Sequence, residues 1–169
     1  MTTSPSGPAK VRSILQTMTI IHFALVGGPV FFAIAAYYLV SSGTQIPSSS
    51  ETDQMFLVIV PLFAIGAIVG GIFLAKQQLE AVKKKESLRE KLSGYQTTLI
   101  IKCALLEGSA FLALASYLQT ESTVYMAIAA ILVLLLFMNR PTTLKIITEL
   151  ELSQKERDLL ENPDAIIEE

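Results

Sequence analysis

Residues 95–120, YQTTLIIKCALLEGSAFLALASYLQT, are apolar over a length that can cross a bilayer, and they carry one carboxylate near their middle, Glu107. A hydrocarbon core of about 30 Å is crossed by about 20 apolar residues in an α-helix. A glutamate at the centre of such a helix costs about 2.5–3.5 kcal/mol on insertion scales, which makes it by default a functional residue.

Outward from this stretch the rest of the chain has the same character. Of 169 residues 51% are hydrophobic and 17% charged, against about 25% charged in a soluble domain. The charge deficit falls in four apolar runs, about 14–40, 55–75, 97–119 and 123–139. They predict an all-α membrane protein, with four transmembrane helices in one domain over 14–140. The first run is too long for the apolar segment of about 7–15 residues in a signal peptide. Residues 1–9 are small, polar and proline-bearing, Lys10 and Arg12 follow, and 1–13 are expected to form a disordered cytoplasmic leader. Pro29, after Gly27 and Gly28, is expected to bend the first helix.

Residues 41–53 contain no lysine or arginine and read as a loop. The second run carries Gly66 and Gly70 at GxxxG spacing, with Ala67, Gly71 and Ala75 in a second row. Such rows let helix backbones approach closely in lipid. The segment 76–91 holds six basic and three acidic residues, a net of +3. Leu79, Val82, Leu88 and Leu92 form a loose helical stripe through it, so part of the segment is expected to extend the second helix. Ser93-Gly94 is expected to break the pattern before the third helix. Only a few residues around Glu121 separate the third run from the fourth, which predicts a tight antiparallel hairpin.

The tail, 141–169, has eight acidic and three basic residues, a net of −5. Leu144, Ile147 and Leu150 predict a short amphipathic helix with Pro141 in its first turn. Ser153 and Glu156 fit a capping box for a second short helix that ends before Pro163. Opposite net charges predict that the tail docks on the 76–91 segment, on a partner or on anionic lipid. Lys10, Arg12, the 76–91 segment, Arg140 and Lys145 all belong on one side, whereas the loops 41–53 and 119–122 contain no basic residue. The positive-inside rule therefore predicts an integral protein of the cell or inner membrane, with N and C termini cytoplasmic.

Residues 15–40 laid over 95–120 without a gap are identical at 11 of 26 positions, among them Gly28/Gly108, Phe31/Phe111 and Tyr37/Tyr117. Both segments would run in the same direction, so the four helices are expected to form two parallel-repeat hairpins. Where the third run has Glu107 and Lys102, the first has Gly27 and His22. Gly27 is the expected counterpart that leaves room for the carboxyl. His22 is expected to reach it through a water, because Cβ atoms lean toward a helix's N-terminus.

Glu107, His22 and Lys102 are thus the candidate proton- or ion-binding residues, with Gly27, Gly28, Gly66, Gly70, Gly71 and Gly108 as helix-packing positions. Two readings of Glu107 stay open. A low-dielectric surrounding favours the protonated carboxyl, which lets it carry a proton. Alternatively it is a permanently protonated side chain that donates one hydrogen bond to a neighbouring helix. Lys102 and His22 also fit boundary anchors, and Cys103 a small core residue. No basic block with interleaved aromatics invites nucleic acid. No His, Cys, Asp and Glu cluster has metal-ligand spacing, so neither a metal nor a cofactor is expected, nor an intramembrane enzyme. The expected partners are the lipid bilayer and either further copies of the chain or a membrane complex.

The string Ala104-Leu105-Leu106-Glu107-Gly108-Ser109-Ala110-Phe111 resembles the carboxylate helix of the proteolipid (c) subunits of rotary ATPases. The preceding helix with Gly66, Gly70 and Gly71 is similar to their glycine-rich first helix. The resemblance covers spans two and three only, and implies Glu107 as the ion-binding carboxylate of a ring-forming subunit. The expected function is accordingly a proton- or cation-binding membrane subunit. The alternative is a non-catalytic structural or accessory subunit.

Overall fold

The computed structural model describes residues 9–43 and 50–167, so most of the expected leader and the centre of the 41–53 loop lie outside the described residues. A two-residue strand β1 (Ala9–Lys10) leads into α1 (Val11–Ser41). Then follow α2 (Ser50–Lys83), α3 (Leu88–Thr120), α4 (Thr123–Met138), α5 (Thr143–Leu150), α6 (Gln154–Glu161) and β2 (Ile166–Ile167). Among the described residues the regular structure is all-helical apart from β1 and β2, which pair antiparallel with Ala9 opposite Ile167.

Three helices, α1, α2 and α3, are long and apolar enough to cross a membrane. At 31 to 34 residues each, they reach about 46–51 Å at 1.5 Å per residue and so outrun the hydrocarbon core. α4 has 16 residues, about 24 Å. It meets α5 at 82° after a short break. The exterior is apolar as lipid demands: Phe31 is 75% exposed, Phe73 67% and Leu134 59%, a surface that a water-soluble monomer rarely presents.

α3 is the central helix, packed on α1, α2 and α4. Thirteen of its residues are buried, against six of α1. Glu121, in the left-handed region at φ 58°, ends α3, and its N–H donates to the Tyr117 carbonyl at 2.8 Å. The chain then reverses directly into α4 as the expected tight hairpin.

Several expected boundaries move. Helix α1 starts at Val11 rather than at 14, because the first turn is held from outside. The Val11 and Arg12 N–H groups donate to the carbonyls of Ala165 and Pro163, both at 3.1 Å. The tail thereby satisfies donors that a helix's first turn leaves open. Helix enters the expected 41–53 loop from both sides, α1 running to Ser41 and α2 starting at Ser50. The 76–91 segment is mostly helical, and only residues 84–87 separate α2 from α3. Gly94 does not break α3 but admits its neighbour: a Cβ there would lie 2.6 Å from Val82 Cγ2.

In the tail, Thr142 caps α5 through the Lys145 N–H at 3.3 Å, so α5 begins two residues beyond Pro141. Its buried face is Ile146, Ile147 and Leu150, while Leu144, expected in that stripe, is 74% exposed. The Ser153–Glu156 capping box is present, and α6 ends at Glu161. The tail folds back onto the bundle. Ile146, Ile147, Leu150, Leu152, Leu160 and Ile167 share one core cluster with Val11, Met18, Val82, Leu88, Leu92 and Tyr95. Charge pairs rim that core: Lys83–Glu151 and Lys91–Glu156 at 2.7 Å, and Lys10–Asp164 at 3.8 Å. Of the expected docking surfaces, the 76–91 segment is thus one the tail uses.

Candidate functional site

Glu107 lies in the apolar half of α3 and is half-buried. Its carboxyl leans on α1 at Gly28: a Cβ at that glycine would sit 3.1 Å from Glu107 Oε1 and 3.3 Å from Phe111 Cζ. The missing side chain of Gly28 is therefore the niche in which the carboxyl rests. Phe111 walls it and packs in turn on Phe32 of α1, with ring centroids 5.5 Å apart. Among the described residues no hydrogen bond or ion pair reaches the Glu107 carboxyl.

The counterpart is thus Gly28, not the expected Gly27, whose missing Cβ faces only Phe31 of its own helix at 3.8 Å. Residues aligned in a repeat need not touch, because two helices side by side meet along one face of each. Residues 27 and 28 lie about 100° apart on that circumference. The surroundings of aligned residues also differ: Tyr37 is 64% exposed and Tyr117 5%.

His22 and Lys102 do not join Glu107. His22 is 1% exposed in the bundle interior, with Nδ1 3.8 Å from Cys103 Sγ. Its other ring nitrogen, Nε2, forms no hydrogen bond of ordinary length among the described residues, and the Phe137 backbone is the polar group that acts most strongly on the ring. Cys103 is fully buried in the central core cluster, as a small core residue. Lys102 lays its stem along α2, where a Cβ on Gly71 would lie 3.6 Å from its Cγ. From there it enters a small polar cavity with Tyr95, Thr98, Asn139, Lys145 and Glu149.

Among the packing glycines, Gly28 and Gly71 make close approaches. Gly66, Gly70 and Gly108 face open space. Gly66 and Gly108 line a groove of about 700 Å³ between α2 and α3, whose wall is tied by Ser109 Oγ donating to the Phe63 carbonyl at 3.2 Å. The GxxxG row is therefore left outside the chain's own packing. Among the described residues no cluster of His, Cys, Asp and Glu is arranged to hold a metal.

The polar cavity around Lys102 escaped the reading of the sequence. Lys145 and Glu149 share one face of α5 at i, i+4 spacing, which was visible. Their meeting with Lys102 and Asn139 depends on the 82° turn after α4.

No protein-family model, curated protein or solved structure matches the chain significantly.

Proposed function

We propose that this is a four-span membrane subunit that binds a proton or cation at Glu107. The observation that carries the proposal is a carboxyl set in a lipid-compatible bundle, fitted to a glycine niche, with no hydrogen bond or ion pair among the described residues. A side chain so costly to place in apolar surroundings, and so unneeded for internal bonding, is available for exchange with an ion or an external partner. The resemblance of 104–111 to the proteolipid carboxylate helix points the same way. The fourth crossing is α4, about 24 Å long, and the 82° turn after it lies at the membrane surface. The β1–β2 pair supports an even number of crossings, since it holds both ends of the described chain at one end of the bundle. With the basic residues of 76–91 at that same end, the positive-inside rule makes it cytoplasmic.

A second role has its own support. The open row of Gly66, Gly70 and Gly108 beside the groove favours an accessory subunit that packs on another membrane helix. In that case Glu107 donates a hydrogen bond as a protonated carboxyl. Proteoliposomes containing a pH-sensitive dye separate the two. Ion binding predicts that Glu107→Gln abolishes proton flux while leaving folding intact. Packing predicts that Gln is tolerated and only Glu107→Leu fails. Labelling by a hydrophobic carbodiimide, faster at low pH and absent in Glu107→Gln, is the expected signature of an exchangeable carboxyl.

A further inference from the structure

We propose that the corner where α2, α3 and α5 meet below α4 binds the phosphate of an anionic phospholipid. This rests on the membrane location of the bundle and not on the role of Glu107. Two adjoining cavities share Lys102 and Asn139. The one nearer the tail, about 30 Å³, is lined by Tyr95, Lys102, Asn139, Lys145 and Glu149 among others. The other, about 90 Å³, has walls of Ala67, Ile68, Gly71, Ile72, Leu106 and Leu135. Apolar walls above a polar floor follow the order of an amphiphile at a membrane surface. The phosphate would take the polar floor and its first carbons the apolar walls. The rest of the lipid lies on the outer faces of α2 and α4, where Ile72 is 46% and Met138 67% exposed.

The charge of the floor calls for an anion. Lys102 and Lys145 are close enough to repel each other, and Glu149 is the acid that acts on Lys102. Among the described residues neither lysine forms an ion pair, whereas Lys10, Lys83 and Lys91 each hold an acid of the tail. Tyr95 adds a hydroxyl to the floor. It is 2% exposed and lines the cavity, and its hydroxyl faces the Glu149 carboxylate without a hydrogen bond of ordinary length. That hydroxyl can turn from Glu149 and donate to a phosphate oxygen in the cavity. Asn139 Nδ2 is already committed to the Leu135 carbonyl at 2.8 Å, which fixes the side chain at the junction of the two cavities. Basic pockets between helices at the cytoplasmic surface are a recurring means of holding lipid headgroups.

The test uses the full chain in detergent, titrated with phosphatidylglycerol, phosphatidylcholine or inorganic phosphate, and read by native mass spectrometry and thermal shift. Wild type is expected to retain phosphatidylglycerol and gain thermal stability, with at least a tenfold weaker response to phosphatidylcholine and none to inorganic phosphate. Lys102→Gln/Lys145→Gln should weaken phosphatidylglycerol binding at least tenfold. Lys84→Gln/Lys85→Gln, which removes the same charge from exposed positions, should leave it within twofold. Equal losses in the two double variants, or equal binding of both lipids, overturn the proposal. A response to inorganic phosphate that matches phosphatidylglycerol overturns the lipid assignment. Should the Lys102/Lys145 variant fail to fold, Tyr95→Phe decides: a loss of severalfold in affinity supports the site, and unchanged affinity refutes it.

Discussion

A single atom's worth of space governs the surroundings of Glu107. Its carboxyl rests where Gly28 lacks a Cβ, and that Cβ would lie at 3.1 Å, tighter than ordinary contact. Alanine at Gly28 therefore asks the carboxyl and Phe111 to yield slightly, and a branched side chain displaces them. Gly28→Leu is expected to push the carboxyl out of its niche and raise carbodiimide labelling of Glu107 severalfold, in protein that still folds. Gly27→Leu, facing only Phe31, should change labelling little. If the two variants label alike, Gly28 is not the niche. His22 belongs to a different neighbourhood, beside Cys103 at 3.8 Å, and His22→Gln is not expected to alter Glu107 labelling.

Pairs of helices depend on residues whose absence of bulk is their contribution. Gly94 brings α3 onto Val82 of α2, and a Cβ there falls 2.6 Å from Val82 Cγ2 and 3.0 Å from Cγ1. Overpacking of this kind costs about 1–3 kcal/mol. Gly94→Ala should lower thermal stability in detergent by that order, and Gly94→Ala/Val82→Ala should be less destabilised than the sum of its parts. Strict additivity in this cycle would show that the two residues do not meet. Gly66→Ala and Gly70→Ala form the contrast: nothing of the chain lies within 4 Å of either. Both should leave monomer stability unchanged, and any effect should appear only in assembly.

At the scale of the whole molecule, the returning tail closes one end of the bundle. Its apolar cluster does most of the holding, and Lys91–Glu156 fastens the rim at 2.7 Å, with side chains 12% and 15% exposed. Burial pushes the Glu156 carboxyl up. The hydrogen bonds from Lys91 and from the Ser153 side chain and backbone, with the Lys91 charge, outweigh it and hold the group below the ordinary 4.5. A carboxylate with a lowered folded-state pKa stabilises fully above its unfolded value, and that contribution is lost as pH falls through the folded one. Hydrogen-exchange protection of α5 and α6 should therefore hold from neutral pH to near 4.5 and weaken below it. Glu156→Gln retains the capping box but loses the charge pair, and should cost the docked tail about 1.5–3 kcal/mol. Protection independent of both pH and this substitution would remove Glu156 from the account.

Hydrophobic run length, capping signals and charge distribution are local properties, and they determined much of this protein in the sequence alone. The helices through 14–40, 55–75, 97–119 and 123–139, the hairpin at Glu121, the Ser153–Glu156 cap and the apolar stripe at Val82, Leu88 and Leu92 could all be read there. What a residue touches across the bundle is not local. Helix rotation and crossing decided that Glu107 meets Gly28 rather than Gly27, that His22 meets Cys103, and that Gly94 is a contact and not a break. The same holds for Lys102, Asn139, Lys145 and Glu149. They gather in one cavity only because the chain turns sharply after α4 and the tail folds back, and no periodicity along the sequence encodes that turn.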